Sequence, residues 1–262
     1  MPERVKVLRL LWITVGAAAT VALLGAGIVG GRIWSGRADA PSQPAVRYSR
    51  IHAVTKVIVE INSGYVQVRV GGTGRVDFER RPRDGQILDL KEVWEGDRLR
   101  LTGACRDGNG KRVTRCQAGY VLQVPAATEI EARTDSGDLT VAGLTGAVSM
   151  TSGSGDLELR NVGGPVRLTT NSGGVTAAAL RSSNLEAQTN TGDVMVAFAA
   201  PPELAAVTTN TGDIELTVPP GRYRTSADTI SGRREVTVPG SAASSPALQA
   251  RSNSGDVRLR AG

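Results

Sequence analysis

The stretch that decides the fold is Thr134–Val141, which reads Thr-Asp-Ser-Gly-Asp-Leu-Thr-Val, and close copies of it recur along the chain. Each copy has a glycine preceded by serine or threonine, and successive glycines are 18, 18, 19, 20, 20 and 23 residues apart. The glycines are Gly137, Gly155, Gly173, Gly192, Gly212, Gly232 and Gly255. Aspartate follows five of them, as Asp138, Asp156, Asp193, Asp213 and Asp256. A nearly fixed period of this length is typical of repeat architectures.

Apolar residues alternate with polar ones on both sides of each glycine. In the first copy Ile130 and Ala132 precede the glycine at alternate positions, and Leu139 and Val141 follow it in the same way. Period-two alternation predicts strands with one buried face. Each repeat is therefore expected to contain a strand, a tight Gly-Asp turn, a second strand and a second turn. The Gly232 repeat departs from the pattern, because Arg234 occupies an apolar position.

Stacking of these units gives the fold prediction. A two-stranded unit cannot bury its inner face alone, whereas units stacked about 4.8 Å apart form a continuous apolar column and pair their backbone groups. Glycine permits positive φ in the turn, and the following aspartate can accept backbone N–H bonds. Inward serines and threonines are expected to form hydroxyl ladders between coils. The sequence predicts an all-β chain, a β-solenoid of stacked 18-20-residue repeats over 128–262, preceded by one N-terminal transmembrane helix.

Residues 51–127 are expected to form an N-terminal β-repeat region with a disulfide loop. The segment 57–70 reproduces the repeat with Gly64 in the glycine position, and longer, more charged strands follow it. Cys105 and Cys116 flank a polar insert, and such a pair in an exported segment indicates a disulfide. A metal site is the alternative, but it needs two further ligands, and His52 is the single histidine.

The N-terminal segment predicts membrane anchorage. Residues 10–31 contain no Asp, Glu, Lys or Arg and are long enough to cross the hydrocarbon core. We expect a cytoplasmic tail at 1–9, a transmembrane anchor at 10–34 and a flexible stalk at 35–50, which is rich in Pro, Ser, Ala and Gly. A cleaved signal peptide ending at Ala40 is the alternative. Both interpretations export the rest, so the C-terminal domain is expected outside the cell membrane.

The charge distribution argues against a nucleic-acid partner. The formal net charge is +6, but residues 1–37 hold five basic side chains and one acidic side chain. The remainder carries 26 basic and 24 acidic side chains. The excess is largely a membrane-orientation signal, and no nucleic acid is expected.

The repeats also carry a family resemblance. The strand 121–125, followed by Ser136–Leu139, Ser154–Leu157 and Thr211–Ile214, resembles the bacterial "putative adhesin" family, a domain of unknown function built of β-strand repeats. The resemblance covers about residues 50–262. It implies a cell-envelope location and a repeat fold, and it supplies no catalytic residues.

Binding is the function that remains after catalysis and metal binding are weighed. The sequence contains no recognisable nucleophile–base pair, so an enzyme is not expected and no cofactor is implied. The aspartates recur once per coil, and turn chemistry explains them without an ion, although a row of carboxylates could hold a cation. We expect a non-catalytic binding or scaffolding protein whose partner is a cell-envelope polymer or surface protein. The alternative is a sensor or regulatory ectodomain of an envelope-stress system that acts through a membrane partner.

Overall fold

The structure, a computed structural model, describes residues 44–241 and 246–262, and every regular element within those ranges is a β-strand. In chain order the strands are β1 Val46–Arg50, β2 Lys56–Ser63, β3 Tyr65–Val70, β4 Val76–Arg81, β5 Ile87–Glu95, β6 Arg98–Arg106, β7 Gly119–Val124, β8 Glu129–Ser136, β9 Leu139–Ala142, β10 Val148–Ser154, β11 Leu157–Arg160, β12 Val166–Ser172, β13 Val175–Leu180, β14 Asn184–Thr191, β15 Val194–Phe198, β16 Leu204–Thr211, β17 Ile214–Val218, β18 Arg224–Ser231, β19 Arg234–Val236, β20 Ala247–Ser254 and β21 Val257–Ala261. The described part of the chain has no helix that could span a bilayer. The predicted tail at 1–9 and anchor at 10–34 lie outside the described residues.

The strands form two sheets. Sheet A has eleven strands in the order β1-β4-β7-β3-β9-β11-β13-β15-β17-β21-β19, and sheet B has ten in the order β18-β20-β16-β14-β12-β10-β8-β2-β6-β5. From β8 onward each repeat places its first strand in sheet B and its second in sheet A. Neighbouring repeat strands run parallel in matching register, so that Val148 lies between Ile130 and Val166. The fold is an all-β, β-solenoid-like repeat with parallel-strand sheets.

The apolar core is a continuous column between the two sheets. In one coil Val148 and Met150 of β10 face Leu157 and Leu159 of β11, and all four are at most 2% exposed. One cluster of buried side chains extends through the stack from Val54 to Leu259. Each fully buried side chain of this kind contributes about 1.5–3 kcal/mol. Stacking therefore supplies the core that an isolated repeat lacks.

The last two repeats are exchanged in the stack. β20 pairs with both β16 and β18, and β21 pairs with both β17 and β19. The coil made by β18 and β19 is therefore the end of the stack, although it precedes β20 in the chain. Arg234 lies on this end coil and is exposed. An end coil has a neighbour on one side only, which explains why its apolar pattern is broken.

Antiparallel strands close the other end of the stack. β2 and β3 lie between the β6–β7 layer and the β8–β9 layer, with parallel pairing on both sides. Beyond them β5 is antiparallel to β6, while β4 is antiparallel to both β7 and β1. The expectation of a stalk through residue 50 was wrong for 46–50. These residues form β1, and the Tyr48 ring stacks on Phe78 at a centroid distance of 4.8 Å.

Candidate functional site

The repeat glycines form one column along the edge where sheet B turns into sheet A. Gly64 belongs to this column with the seven glycines of the later repeats. A Cβ added to Gly137 would lie 1.9 Å from the carbonyl oxygen of Gly64, and one added to Gly155 would lie 2.2 Å from that of Gly137. The same approach recurs in the other copies, at 2.1 Å for Gly192 and Gly212. The stacked backbones therefore leave no room for a side chain.

The sequence led us to expect that glycine is required at these positions because the turn has a positive φ. This reason applies to only some glycines of the column. Gly192 and Gly212 have φ of +149° and +143°, a region that L side chains rarely adopt. Gly137, Gly155 and Gly173 are not among the positive-φ glycines. Close approach between coils is the requirement that all these positions share.

The aspartates form a hydrogen-bond ladder beside the glycines. The Asp138 carboxylate accepts the backbone N–H of Asp156 at 3.0 Å, and Asp156 accepts that of Gly174 at 2.8 Å. Asp193 accepts from Asp213 at 2.8 Å, and the next two steps repeat the contact. The carboxylates thus bond to the following coil in the stack. Gly174 occupies an aspartate position and interrupts the ladder.

Electrostatics at the end of the ladder favour the ionised carboxylate. The backbone N–H of Arg233 holds the pKa of Asp256 below its usual value, and the Arg233 and Arg258 side chains act in the same direction. Arg258 lies 2.5 Å from Asp256. Within residues 44–241 and 246–262, no three potential ligand side chains are grouped to hold a metal ion. The ladder carboxylates act as hydrogen-bond acceptors between coils.

Buried hydroxyl groups bind the glycine column from inside. Thr209 Oγ1 donates to the carbonyl oxygen of Gly192 at 3.2 Å, and Ser252 Oγ donates to that of Gly212 at 3.0 Å. Three further threonines, Thr170, Thr189 and Thr229, make the same contact. The predicted hydroxyl ladders thus connect neighbouring coils through the backbone, since these hydroxyls donate to carbonyl oxygens and not to one another.

On its middle strands, β10 to β16, and at Asn253 of β20, the outer side of sheet B carries small, uncharged hydrogen-bonding side chains, and we call this surface the amide–hydroxyl face. Charged residues bound it, because Arg133 is aligned with Thr151 on one side and Arg251 with Thr208 on the other. Strand register places Gln188 between Thr169 and Thr208. A second column of amides runs beside this one, and Asn253 donates to Asn210 within it. The face comprises Thr151, Thr169, Gln188, Thr208, Asn171, Asn190, Asn210 and Asn253. Neighbouring members are one strand apart, about 4.8 Å.

A single ion pair lies near the middle of this surface. Arg167 and Glu186 approach to 2.7 Å on adjacent strands, so their charges compensate each other. The face can therefore bind through many repeated hydrogen bonds, with little selection by charge. These columns are visible when the repeats of the chain are aligned on their glycines. The alternation of apolar and polar residues does not show, however, which of the two sheets has the uncharged outer side.

The loop closed by the two cysteines lies beside Gly64. Cys105 and Cys116 are joined by a disulfide with Cα atoms 6.1 Å apart. The Asn62 side chain accepts from the Cys105 backbone N–H at 2.8 Å and donates to the Val113 carbonyl at 3.2 Å. The loop is thus fixed to β2 by side-chain hydrogen bonds as well as by its covalent closure.

A polar cluster at the antiparallel end was missed by sequence reasoning. The Tyr48 hydroxyl donates to Glu92 and contacts the hydroxyl of Tyr120. Burial is the largest cause that raises the pKa of both tyrosines. Both therefore remain neutral phenols at physiological pH. Since Tyr48 lies in the predicted stalk, the sequence offered no signal that these groups meet.

Several solved structures are similar to this chain. The chain is similar to a "putative adhesin" from Bacteroides fragilis, with 14% identity, a TM-score of 0.50 and coverage of 85% of this chain and 99% of that one. A "putative cell adhesion protein" from Clostridium sporogenes has 10% identity and a TM-score of 0.38, with 84% and 100% covered. A "putative lipid binding protein" from Parabacteroides distasonis has 13% identity and a TM-score of 0.43, with 84% and 97% covered. At 14% identity, the similarity to the Bacteroides fragilis structure shows a shared fold and no more.

The family assignment rests on the sequence itself. No curated protein matches this chain. The profile of the Toastrack DUF4097 family matches residues 47–261, which include all the repeats and both end caps. The family resemblance of the Ser/Thr-Gly-Asp repeats is confirmed, and this chain belongs to the Toastrack DUF4097 family.

Proposed function

We propose that this protein is a non-catalytic, adhesin-like binding or scaffolding protein of the cell envelope. In this proposal residues 10–34 cross the cell membrane once, and the repeat unit lies outside the cell. The observation that carries the proposal is the amide–hydroxyl face, a regular surface of mainly uncharged side chains on the middle strands of sheet B. Its partner is a cell-envelope polymer or a surface protein that can bond to several coils at once.

His52 and the ladder aspartates are engaged in structural contacts, which agrees with a binding role. His52, the one histidine of the chain, contacts the carbonyl oxygen of Gly96 at 2.7 Å and packs against Trp94. The ladder aspartates accept backbone hydrogen bonds. A catalytic centre needs a nucleophile, a base and an orienting group within mutual reach, and these residues do not supply that arrangement. The adhesin name of the Bacteroides fragilis structure is in accord with this proposal.

Photocrosslinking in native membranes tests the binding face. A crosslinking residue at Asn190 lies on the amide–hydroxyl face, whereas one at Thr176 lies on the outer side of sheet A at the neighbouring coil. We expect a wall polymer or surface protein to be captured from Asn190 and not from Thr176. Equal capture from both positions would contradict the proposed face. An integral-membrane partner captured from Asn190 would instead favour the sensor function.

Membrane anchorage is tested separately by alkaline extraction of membranes. A retained transmembrane segment keeps the chain in the membrane pellet, because extraction removes peripheral proteins only. Release of a chain that has lost residues 1–40 would support signal-peptide cleavage and refute the anchor.

A further inference from the structure

A concentration of positive charge lies at the antiparallel end of the stack. It comprises the β4–β5 turn and the loop between β6 and β7. The Gln86 side chain joins the two segments, since it donates to the Arg115 carbonyl at 3.2 Å and accepts from the Gln117 backbone N–H at 2.9 Å. We call the five basic side chains of these segments and of the adjoining end of β6 the cationic end; they are Arg83, Arg106, Lys111, Arg112 and Arg115.

Three members of the cationic end have no carboxylate partner among the described residues. Lys111, Arg112 and Arg115 are exposed, and none of them forms an ion pair within 44–241 and 246–262. Arg83 and Arg106 make only long contacts, 3.9 Å to Asp84 and 3.8 Å to Asp89. In the repeats Arg167 and Arg258 pair directly with carboxylates, whereas the exposed Arg224, Arg234 and Arg251 form no ion pair within 44–241 and 246–262. The cationic end therefore presents charge that the protein itself leaves uncompensated.

The loop that carries this charge is held in a fixed shape. The disulfide closes its two ends. Within it the Asp107 carboxylate accepts the backbone N–H groups of Asn109 and Lys111, both at 2.9 Å. The Asp107 backbone N–H donates to the Lys111 carbonyl at 2.9 Å. A constrained loop loses little conformational entropy when its cations meet a surface.

The chain enters the repeat unit beside the cationic end. β1 starts at Val46, which pairs with Arg80, three residues before Arg83. In the proposed function the anchor ends at residue 34, and residues 35–43 separate it from the described unit. Nine residues reach at most about 30 Å when fully extended. This length is the greatest distance that the proposed anchorage allows between the bilayer and the end of the unit where β1 starts.

We propose that the cationic end docks on the anionic phospholipid headgroups of the membrane in which the chain is anchored. This inference rests on the anchorage in the proposed function. Each Lys or Arg close to an anionic membrane surface increases binding by a factor of about five. The attraction is screened beyond about 8 Å at physiological ionic strength, so docking requires direct approach of the loop.

The test uses the full chain reconstituted in nanodiscs. Thr114→Cys places a fluorophore between Arg112 and Arg115, and Asn190→Cys places it on the amide–hydroxyl face as a matched control. Labelling is directed to the added thiol, because the native cysteines are bonded to each other. The lipids carry a headgroup quencher and are either phosphatidylcholine alone or a mixture with phosphatidylglycerol.

We expect quenching at Thr114 in the phosphatidylglycerol discs, and none at Asn190 in either lipid. Replacing Lys111, Arg112 and Arg115 together by glutamine should lower the ratio of docked to undocked protein by about 100-fold. Raising the salt concentration should also lower the ratio of docked to undocked protein. These substitutions are on exposed side chains, and unchanged circular dichroism would show that the variant is folded.

Three outcomes would overturn the proposal. The first is equal quenching at Thr114 and Asn190 in phosphatidylglycerol discs, and the second is quenching that survives the triple substitution. The third is binding of added poly(glycerol phosphate) to the cationic end without any response to phosphatidylglycerol, which would assign the site to a wall polymer. Failure of anchorage is distinguishable, because the chain would then not co-elute with either kind of disc.

Discussion

Replacing Gly155 by alanine separates the two explanations for the glycine column. Gly155 is outside the positive-φ set, so a purely conformational argument predicts that Gly155→Ala is neutral or stabilising. The close approach predicts the opposite. The new Cβ would lie 2.2 Å from the Gly137 carbonyl oxygen, and a contact of 3.0 Å requires the two coils to separate by at least 0.8 Å, the difference of these distances.

The cost follows from what this separation breaks. The Asp156 N–H to Asp138 bond and the Leu139 N–H to Asp156 carbonyl bond are both 3.0 Å long and connect the same two coils. Weakening each costs about 1 kcal/mol, and overpacking adds about 1–3 kcal/mol. We therefore expect Gly155→Ala to lower the free energy of unfolding by about 3–5 kcal/mol.

Gly174→Ala is the matched control for this experiment. Gly174 also lacks positive φ, but its added Cβ would meet nothing closer than Asp156 Oδ1 at 3.6 Å. It should stabilise by about 0.4–1 kcal/mol through the unfolded chain. Urea unfolding of residues 41–262, followed by circular dichroism, measures both variants. Equal effects of the two substitutions would refute the close-approach argument.

Three other predictions concern the ladder and the disulfide. Gly174→Asp should stabilise by about 1 kcal/mol beyond Gly174→Ala, because its carboxylate can accept the Asp193 N–H; no gain in the urea midpoint would contradict this. Thiol labelling of the unfolded, unreduced protein should find no free cysteine, and reduction should cost about 3 kcal/mol in the chain-entropy model; two labelled thiols per chain would be the contrary result. The lowered pKa of Asp256 means that its stabilising effect is present above about pH 4, the usual value, and is lost as pH falls through the folded pKa. Asp256→Asn should therefore reduce the loss of stability between about pH 6 and pH 3, and an unchanged acid limb would show that the carboxylate does not contribute.

The repeat itself was predictable because the alternation of apolar and polar residues in each strand identifies the face that is buried. The alternation around Gly137 recurs around Gly155 and Gly212, and a one-residue slip would expose every apolar side chain. Register and parallel pairing therefore follow from the sequence. The glycine requirement was recognised, but its main cause was not, since a contact between backbones of different coils leaves no local signature.

The order of the coils could not be predicted in the same way. β16 presents an edge of matching register to either β18 or β20, so local patterning does not choose between them. Arg234 was a signal that its repeat is unusual, and the structure gives the reason, since this coil is the end of the stack.

β1 was missed because five residues between a proline-rich segment and β2 are too few to establish a period. The amide–hydroxyl face could not be recognised from the sequence, because finding it requires a comparison of both outward faces across all coils, which only the fold makes possible.

The exchange of the final coils also means that the stack can change its length by gaining or losing coils in its middle. Both end caps are built from segments outside the uniform middle, so a middle coil can be inserted or deleted without rebuilding either cap. Removing residues 138–155 would join Gly137 directly to Asp156 and restore the Ser-Gly-Asp-Leu sequence at the junction. Each such step would change the spacing between the two ends by about 4.8 Å. The distance that the protein spans is thereby encoded as a whole number of coils.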